Sequence, residues 1–318
     1  MKILFITSSR IGDAILSTGA LNLLIENNPE SKITIACGKA ASSIFEETPN
    51  IEKIIIMNKK KYSLHWLELW IKVLPNFWDI VIDLRSSAIS YLIFTKSKKI
   101  FTKKLSNVHQ LVSLSLLFNL HEPLAPHIYI SEKNKIIADH LMPKNKKIIA
   151  IAPTANWGGK QWPAENFIKF ISKISGRDGI IKNSIVALFG LPEEMHMIRP
   201  LIDYLSNIEH INLIGKTNIL DVYACMEKCI CFVGNDSGLM HLAAASNIPT
   251  LGLFGPSPEK VYAPWGENCA WVRTERSFKE IISLPNYNYK SQKSYMYDLK
   301  VEVVEKAFID LLGKNEKK

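Results

Sequence analysis

Short apolar runs of strand length alternate with helix-length amphipathic segments along almost the whole chain, and this alternation most constrains the fold. The first strand-like runs are Ile3–Ile6, Ile33–Ala36, Lys53–Met57 and Ile80–Asp83. The helix-length segments between them lie at about 14–26, 40–47 and 64–74. Because neighbouring parallel strands need a crossover connection, usually a helix, the alternation predicts an α/β fold with parallel sheets.

A second unit of the same kind begins after a polar run that contains a proline. Residues 142–147 give way to the apolar run Ile148–Ala152, and such a change of composition is typical of a linker between domains. Further strands are predicted at Ser184–Phe189, Ile211–Leu213, Ile230–Val233 and Thr250–Phe254. The 318 residues are enough for two domains, so we predict one over 1–145 and another over 146–318.

The C-terminal region contains two different patterns. Residues 274–298 show no clear periodicity and are expected to form a loop or tail. The last amphipathic segment predicts a helix over about 300–312. The sequence leaves open whether this helix packs back on the N-terminal domain.

Composition and apolar patterning indicate a folded cytoplasmic protein. Hydrophobic residues make up 47% of the chain and charged residues 22%, as in chains that form a core. The best candidate for a membrane span, residues 64–84, is interrupted by Glu68, Lys72, Pro75 and Asp79. Arg10 and Asp13 interrupt the N-terminal apolar region, which argues against a signal peptide.

The cysteines and the other metal-ligand residue types show no pattern of a metal site. The five cysteines are Cys37, Cys225, Cys229, Cys231 and Cys269, and their spacing fits neither paired zinc ligands nor a disulfide framework. We expect them to be small buried residues in a reducing compartment. Histidines and carboxylates show no H-E-x-x-H spacing, so no metal is predicted.

Two clusters of lysines lie in the first half of the chain. The formal net charge is +9, and lysines cluster at Lys59–Lys61 and again at Lys96, Lys98, Lys99, Lys103 and Lys104. Such runs are usually solvated faces, but two of them in one domain indicate an anionic partner. The candidates are a phosphorylated glycolipid, a membrane surface and nucleic acid; no nucleic-acid reading module is recognisable.

The second unit contains a strand-to-helix turn within the sequence CFVGNDSGLMHLAAASNIP. Asp236 or Ser237 can cap the new helix, Gly238 leaves space beside its first turn, and His241 lies one turn further on. Free backbone N–H groups there would form an anion site suited to a diphosphate. An ordinary capped helix without a ligand explains the same residues, and both interpretations stay open.

Two further turns of the second unit carry polar candidates. In APTANWGGKQWP, Thr154 ends a strand and Lys160 lies on a Gly-rich loop from which its ammonium group can reach phosphate oxygens. An isolated lysine of this kind more often faces solvent. In FGLPEEMHMI, Glu193 and Glu194 lie in a first helical turn, where they interact with the helix dipole or accept hydrogen bonds from sugar hydroxyls.

The N-terminal turn SSRIGDAIL carries the candidate general base of the first unit. Asp13 follows a strand end at the start of a helix, where a carboxylate can take a proton from an attacking hydroxyl. A helix cap is the alternative role for an isolated Asp at this place. Arg10 would contact an anionic acceptor or orient the carboxylate, and Gly12 leaves room beside it.

Several of these segments together resemble the ADP-heptose:lipopolysaccharide heptosyltransferase family, glycosyltransferase family 9. The resemblance rests on MKILFITSSRIGDAILSTGAL, PTANWGGKQWP and the NDSGLMHLAAA segment with the following FGP, in this order. It implies a GT-B fold, in which two Rossmann-like domains face each other across a cleft. It also implies inverting, metal-independent transfer of a sugar from a nucleotide donor, typically ADP-heptose, to a hydroxyl of the lipopolysaccharide core.

The resemblance also implies roles for individual residues. Asp13 matches the catalytic base, with Arg10 and Gly12 on the acceptor side, and Lys160 matches the lysine that meets the donor phosphates and helps the leaving group depart. The other donor-binding matches are Thr154, Glu194, Asp236, Ser237, Gly238 and His241. The loop NWGGKQWP is less polar than the family pattern, and residues 277–295 match nothing in it.

The leading hypothesis is a glycosyltransferase without cofactor that uses a nucleotide sugar as substrate and a phosphorylated glycolipid as acceptor. It would work at the inner face of the inner membrane, in peripheral contact with that surface. A non-catalytic nucleotide-sugar-binding paralogue or partner subunit is the alternative, and a basic nucleic-acid-binding protein is a distant third. The sequence does not determine the oligomeric state.

Overall fold

The computed structural model describes residues 1–102 and 108–315 of the chain. These residues form two units, Met1–Ser131 and Glu132–Lys318. Lys103 and Lys104 of the second lysine cluster lie outside the described residues. No helix in the described ranges combines the length and the apolar character needed to cross a membrane.

The first unit is built on a five-stranded parallel sheet with the strand order β3-β2-β1-β4-β5. The strands are β1 (Lys2–Ile6), β2 (Lys32–Cys37), β3 (Ile51–Ile56), β4 (Trp78–Asp83) and β5 (Thr95–Ile100). The helices are α1 (Ile11–Asn27), α2 (Lys39–Ser42), α3 (Leu64–Val73) and α4 (Gln110–Leu117). The sequence-predicted strands β1 to β4 and the helix α3 are therefore confirmed.

The strand β5 was not predicted, because its sequence TKSKKI has the composition of a solvated lysine run. It pairs in parallel with β4, with Val81 opposite Lys98, and forms an edge of the sheet. Lysines are a common means of protecting an exposed sheet edge from further pairing. The central strand β1 shows the opposite pattern, since its Ile3 to Ile6 run is completely buried, as expected for a parallel strand covered on both faces.

The second unit contains a six-stranded parallel sheet with the order β11-β10-β9-β6-β7-β8. Its strands are β6 (Lys147–Ala152), β7 (Ser184–Leu188), β8 (His210–Asn212), β9 (Cys231–Asn235), β10 (Thr250–Phe254) and β11 (Cys269–Arg273). Its helices are α5 (Glu132–Leu141), α6 (Ala164–Ile174), α7 (Arg199–Leu205), α8 (Ile219–Met226), α9 (Gly238–Ala245), α10 (Glu259–Tyr262), α11 (Phe278–Ile282) and α12 (Val301–Asn315). Every strand predicted for this unit is present.

The division between the units falls earlier than the predicted boundary at 145/146. The helix α5 belongs to the second unit because it packs on α8, and the buried Asn134 amide donates a 2.8 Å hydrogen bond to Asp221 of α8. The final helix α12 also belongs to the second unit. Its side chains Val304 and Phe308 are completely buried in the same hydrophobic cluster as Phe170 of α6.

Both sheets have the strand order of a Rossmann-type fold, and this order determines where a ligand can bind. In each sheet, the second and third strands are added on one side of the first strand, and the later strands are added on its other side. The connections therefore diverge between β1 and β4 and between β6 and β9. Ligands of open parallel sheets bind at such a switch point, beyond the carboxyl ends of the strands. The segments that follow β1, β4, β6 and β9 are therefore the candidate functional segments.

We predict that Gly19→Ala destabilises the first unit although alanine favours helices. A Cβ atom at Gly19 of α1 would meet the carbonyl oxygens of Leu124, at 2.7 Å, and of Ala125, and backbone atoms cannot move aside cheaply. We expect a loss of about 1–3 kcal/mol, measured as a lower midpoint of thermal unfolding.

The matched control is Gly313→Ala in α12, where a Cβ atom has nothing within 4 Å. This substitution should leave the midpoint unchanged or raise it slightly, because alanine favours the helix by up to about 1 kcal/mol. Equal effects of the two substitutions would contradict the close approach at Gly19.

Candidate active site

The amide of Asn235 organises the switch point of the second unit. Asn235 ends β9 and is completely buried. Its Nδ2 donates a 2.7 Å hydrogen bond to the carbonyl of Pro153, just beyond β6, and its Oδ1 accepts a 3.0 Å hydrogen bond from the backbone N–H of Trp162. One side chain therefore connects both central strands with the loop that carries Lys160.

Lys160 and Asp236 form an ion pair at this point. The Lys160 Nζ lies 2.5 Å from Asp236 Oδ2, and the exposed fractions of the two side chains are 25% and 6%. Burial alone would raise the pKa of Asp236, but the positive charge of Lys160 and its hydrogen bond hold it below its ordinary value. The carboxylate therefore stays ionised and keeps the ammonium group at the strand ends.

The helix α9 begins directly after this pair and has no side-chain cap. Its N-cap residue is Ser237, whose side chain makes no cap hydrogen bond, and the buried Ser237 Oγ has no hydrogen-bond partner among the described residues. Asp236, the other candidate cap, is bound to Lys160. The capped-helix interpretation is therefore wrong, and the first-turn N–H groups at Gly238 remain available to an anion.

The other donor-side candidates are distributed over neighbouring strand ends of the same sheet. Thr154 is buried after β6, and within the described part of the chain its Oγ1 has no hydrogen-bond partner. It lies close to Gly190 beyond β7, where an added Cβ would be 2.9 Å from that oxygen. Glu194 lies in the first turn of a 3₁₀ helix, Pro192–Ile198, and accepts a long 3.5 Å hydrogen bond from Leu191. His241 is buried within α9.

A segment that the sequence analysis expected to be a loop or tail supports the Lys160 loop. The N–H of Tyr295 donates to the carbonyl of Gly159 at 3.0 Å, and the Ser294 hydroxyl donates to Gln161 at 2.5 Å. The Trp157 ring packs against the rings of Tyr287 and Tyr295, with centroids 6.0 and 5.9 Å away. These contacts join residues far apart in sequence, so no local pattern could have revealed them.

The N-terminal turn places Asp13 at the switch point of the first unit. Asp13 lies half-buried in the first turn of α1, and its Oδ2 accepts a 3.2 Å hydrogen bond from the Ser8 hydroxyl. The Ser8 oxygen in turn accepts hydrogen bonds from the backbone N–H of Arg10, at 3.1 Å, and from Arg85 Nη1, at 3.3 Å. The Arg10 side chain is exposed and does not cap the helix.

Sequence reasoning missed Arg85, which the structure brings to the same strand ends as Asp13. Its loop is held by Asp83, a completely buried carboxylate at the end of β4. The Asp83 oxygens accept hydrogen bonds of 2.8 Å from the N–H groups of Arg85 and Ser87, and of 2.6 Å from the hydroxyls of Ser87 and Ser90. The signal was present as DLRSS after a predicted strand, but its meaning depends on β4 lying next to β1.

Within the described ranges no group of three or more His, Cys, Asp or Glu side chains has a geometry that could hold a metal ion. Four of the five cysteines are buried, and Cys269 is partly so. Burial raises the pKa of the Cys37 thiol to about 12, so this thiol stays protonated near neutral pH. The cysteines are therefore small packing residues in the described structure.

Fold and site together define a class of protein. Two Rossmann-like units, each with its candidate residues at the switch point of a parallel sheet, have the architecture of the GT-B fold of glycosyltransferases. The model of glycosyltransferase family 9 (heptosyltransferase) matches residues 82–287. The chain belongs to this family, and it is a glycosyltransferase.

Known relatives resemble the chain over nearly its whole length. It is 28% identical to lipooligosaccharide heptosyltransferase 2 of Campylobacter jejuni over 325 residues, and the alignment covers 96% of this chain and 97% of the relative. A glycosyl transferase family 9 structure from Veillonella parvula has a TM-score of 0.76 at 25% identity, covering 98% of this chain and 97% of that chain. The fold also matches E. coli ADP-heptose lps heptosyltransferase II, with a TM-score of 0.72 at 21% identity and coverage of 99% and 100%.

We predict that Asp236→Asn destabilises the protein in a pH-dependent way. The variant leaves Lys160 without its charged partner, and a hydrogen bond to a charged group contributes about 2 kcal/mol. Because the folded-state pKa of Asp236 is lowered, its stabilising effect is complete above the unfolded value and disappears as the pH falls through the folded value. Urea unfolding from pH 7 into the acid range should show the difference shrinking.

The matched control is Asp203→Asn, which breaks the exposed 3.0 Å pair of Asp203 with Arg199. Exposed pairs contribute little, so we expect a change below about 1 kcal/mol at every pH. If Asp236→Asn unfolds at the wild-type urea concentration at pH 7, the buried ion pair does not stabilise this site.

Proposed function

We propose that the protein transfers heptose from ADP-heptose to a hydroxyl group of the lipopolysaccharide inner core, with inversion at the anomeric carbon and without a metal ion. The family and the names of its relatives support heptose transfer in the synthesis of this core. ADP-heptose is the donor named for the E. coli enzyme that shares the fold. The observation that carries the proposal is the Lys160–Asp236 pair beside the uncapped start of α9.

The donor diphosphate would bind at that helix start. Its oxygens would accept hydrogen bonds from the first-turn N–H groups of α9 and from the unpartnered hydroxyls of Thr154 and Ser237. Lys160 would turn from Asp236 toward the phosphates, where its charge stabilises the departing ADP. Glu194 would accept hydrogen bonds from the ribose, and His241 with Gly238 would border the sugar and diphosphate.

The chemical step would use Asp13 as its base. The acceptor oxygen attacks the anomeric carbon as Asp13 takes its proton, a new C–O bond forms, and the bond from that carbon to the diphosphate breaks. ADP leaves with the electron pair, so one in-line displacement inverts the configuration. The Ser8 hydroxyl holds the carboxylate in place, and Arg10 and Arg85 would meet anionic groups of the phosphorylated acceptor.

The proposed place of action is the cytoplasmic face of the inner membrane, with the protein in peripheral contact. The two lysine clusters of the first half of the chain support this, since anionic lipids attract basic segments. Nucleic acid is not expected as a partner.

We predict that Asp13→Ala abolishes transfer and leaves donor binding almost unchanged. Loss of a general base lowers kcat by about 10²- to 10⁴-fold, while the donor is held by residues of the second unit. Turnover should be measured with ADP-heptose and a heptose-deficient core acceptor, and donor affinity by calorimetry with ADP. Asp310→Ala, an exposed position on α12, is the control and should keep full activity.

Full turnover by Asp13→Ala would overturn the proposed mechanism. A wild-type protein that binds ADP-heptose but transfers nothing to any core acceptor would instead be the non-catalytic paralogue.

We also predict that Lys160→Ala weakens both donor binding and turnover. The lysine contacts phosphate oxygens in the ground state and meets more charge on the leaving group, so ADP affinity should fall about 10- to 100-fold and kcat should fall as well. Lys182→Ala, an exposed lysine of the same unit, is the matched control. Unchanged ADP affinity of Lys160→Ala would contradict the donor site described above.

A further inference from the structure

The helix α3 of the first unit is apolar on its exposed side as well as on its buried side. Toward the sheet, Leu69 and Val73 are buried in the hydrophobic core, with Trp66 and Trp70 packed against it. On the other side, Leu64, Leu67 and Ile71 are 46%, 50% and 58% exposed. The exposed side of α3 therefore carries an apolar stripe next to the exposed Glu68 and Lys72, where a helix that buries only one side normally carries polar residues.

The segment 91–94 lies beside α3 and adds further exposed apolar side chains. The Trp70 indole N–H donates a 2.9 Å hydrogen bond to the carbonyl of Leu92, which holds residues 91–94 beside the helix. Tyr91, Leu92 and Phe94 in that segment are 66%, 59% and 65% exposed. We call Leu64, Leu67, Ile71, Tyr91, Leu92 and Phe94 the α3 surface. Large exposed side chains that cluster in this way, in contrast to single scattered ones, are typical of interaction sites.

Lysines flank the α3 surface. They come from the segments before, within and after it and are Lys59, Lys60, Lys61, Lys72, Lys96 and Lys98. Lys98 lies over the Tyr91 ring, with its Nζ 4.2 Å from the ring centroid. The acidic residue of α3, Glu68, is paired with Lys60, so these two charges cancel and the other five lysines supply the positive charge. The apolar surface therefore has a positive rim.

We propose that the α3 surface docks on a bilayer that contains anionic lipids. Leucine, isoleucine and aromatic side chains would enter the boundary between headgroups and acyl chains, while the flanking lysines bind lipid phosphates. Tyrosine and tryptophan are the aromatic residues enriched at that boundary. The proposal assigns the membrane contact of the proposed function to particular residues. It rests on the proposed function only for the lipid-linked acceptor.

The charges favour a bilayer over a second copy of the chain as the occupant. Two copies placed with their α3 surfaces together would bring the lysine rims close to each other, and like charges across an interface are costly. An anionic bilayer complements both the apolar residues and the lysines. The same charges predict that binding weakens as the ionic strength rises.

The test is co-sedimentation of the full chain with vesicles of phosphatidylcholine alone or with about one third phosphatidylglycerol. Wild-type protein should bind the anionic vesicles, lose this binding in high salt and bind the neutral vesicles at least tenfold more weakly. Leu67→Gln with Ile71→Gln should reduce binding at least about tenfold, because both side chains lose apolar burial in the bilayer. Lys72→Gln with Lys96→Gln should reduce it about fivefold for each lysine removed.

Matched controls separate this surface from general effects of composition. Val303→Gln with Ile309→Gln changes two side chains of α12, each 46% exposed, and should alter vesicle binding less than about twofold. Lys182→Gln with Lys306→Gln removes the same charge from exposed positions of the second unit and should also have a smaller effect than the rim substitutions. Circular dichroism and ADP binding should match the wild type in every variant.

Three results would overturn the proposal. The first is vesicle binding by the wild type that does not depend on phosphatidylglycerol. The second is an equal loss of vesicle binding in the α3 and α12 variants. The third is a wild-type dimer that Leu67→Gln with Ile71→Gln converts to a monomer. Transfer activity is a separate outcome, because vesicle binding needs neither donor nor acceptor. Activity without vesicle binding refutes the docking surface alone, and vesicle binding without activity refutes the proposed function alone.

Discussion

The buried amide of Asn235 is the interaction on which the geometry of the donor-side site depends. It joins the end of β9 to the carbonyl of Pro153 beyond β6 and to the N–H of Trp162 in the Lys160 loop. A buried amide that uses both its donor and its acceptor stabilises a single arrangement, because each partner would otherwise lose a hydrogen bond without water to replace it. The loop that carries Lys160 therefore starts from a fixed point at the strand ends.

The two candidate sites differ in their charged groups, although both lie at the strand ends of similar sheets. In the second unit, the carboxylate of Asp236 holds the Lys160 ammonium group beside the start of α9, which has no side-chain cap. In the first unit, the hydroxyl of Ser8 connects the Asp13 carboxylate with the Arg85 guanidinium group. The Rossmann strand order explains why both sites lie at the same topological position, since both sheets reverse their connections there.

Particular elements show how far the sequence leads. The strands β1 and β6 are continuous apolar runs and were predictable, because a buried parallel strand needs no polar face. The strand β5 was missed because its lysines, which are typical of an edge strand, look like a solvated lysine run. The helix α5 was assigned to the wrong side of the linker because the contact that ties it to the second unit is a hydrogen bond from Asn134 to Asp221, a residue far away in the sequence. The candidate residues were predictable from strand-to-helix turns, but whether Asp236 capped a helix or paired with Lys160 was not.

The sequence by itself determined the alternation of strands and helices, the two parallel-sheet units, the family resemblance and the list of polar residues at strand ends. These properties depend on local periodicity and on residues that are neighbours along the chain. Only the tertiary structure decided that Asp236 pairs with Lys160, that Arg85 joins Ser8 and Asp13, and that residues 294–295 support the Lys160 loop. Each of these contacts joins segments separated by many residues, and their pairing follows from strand order and packing, which local sequence does not encode.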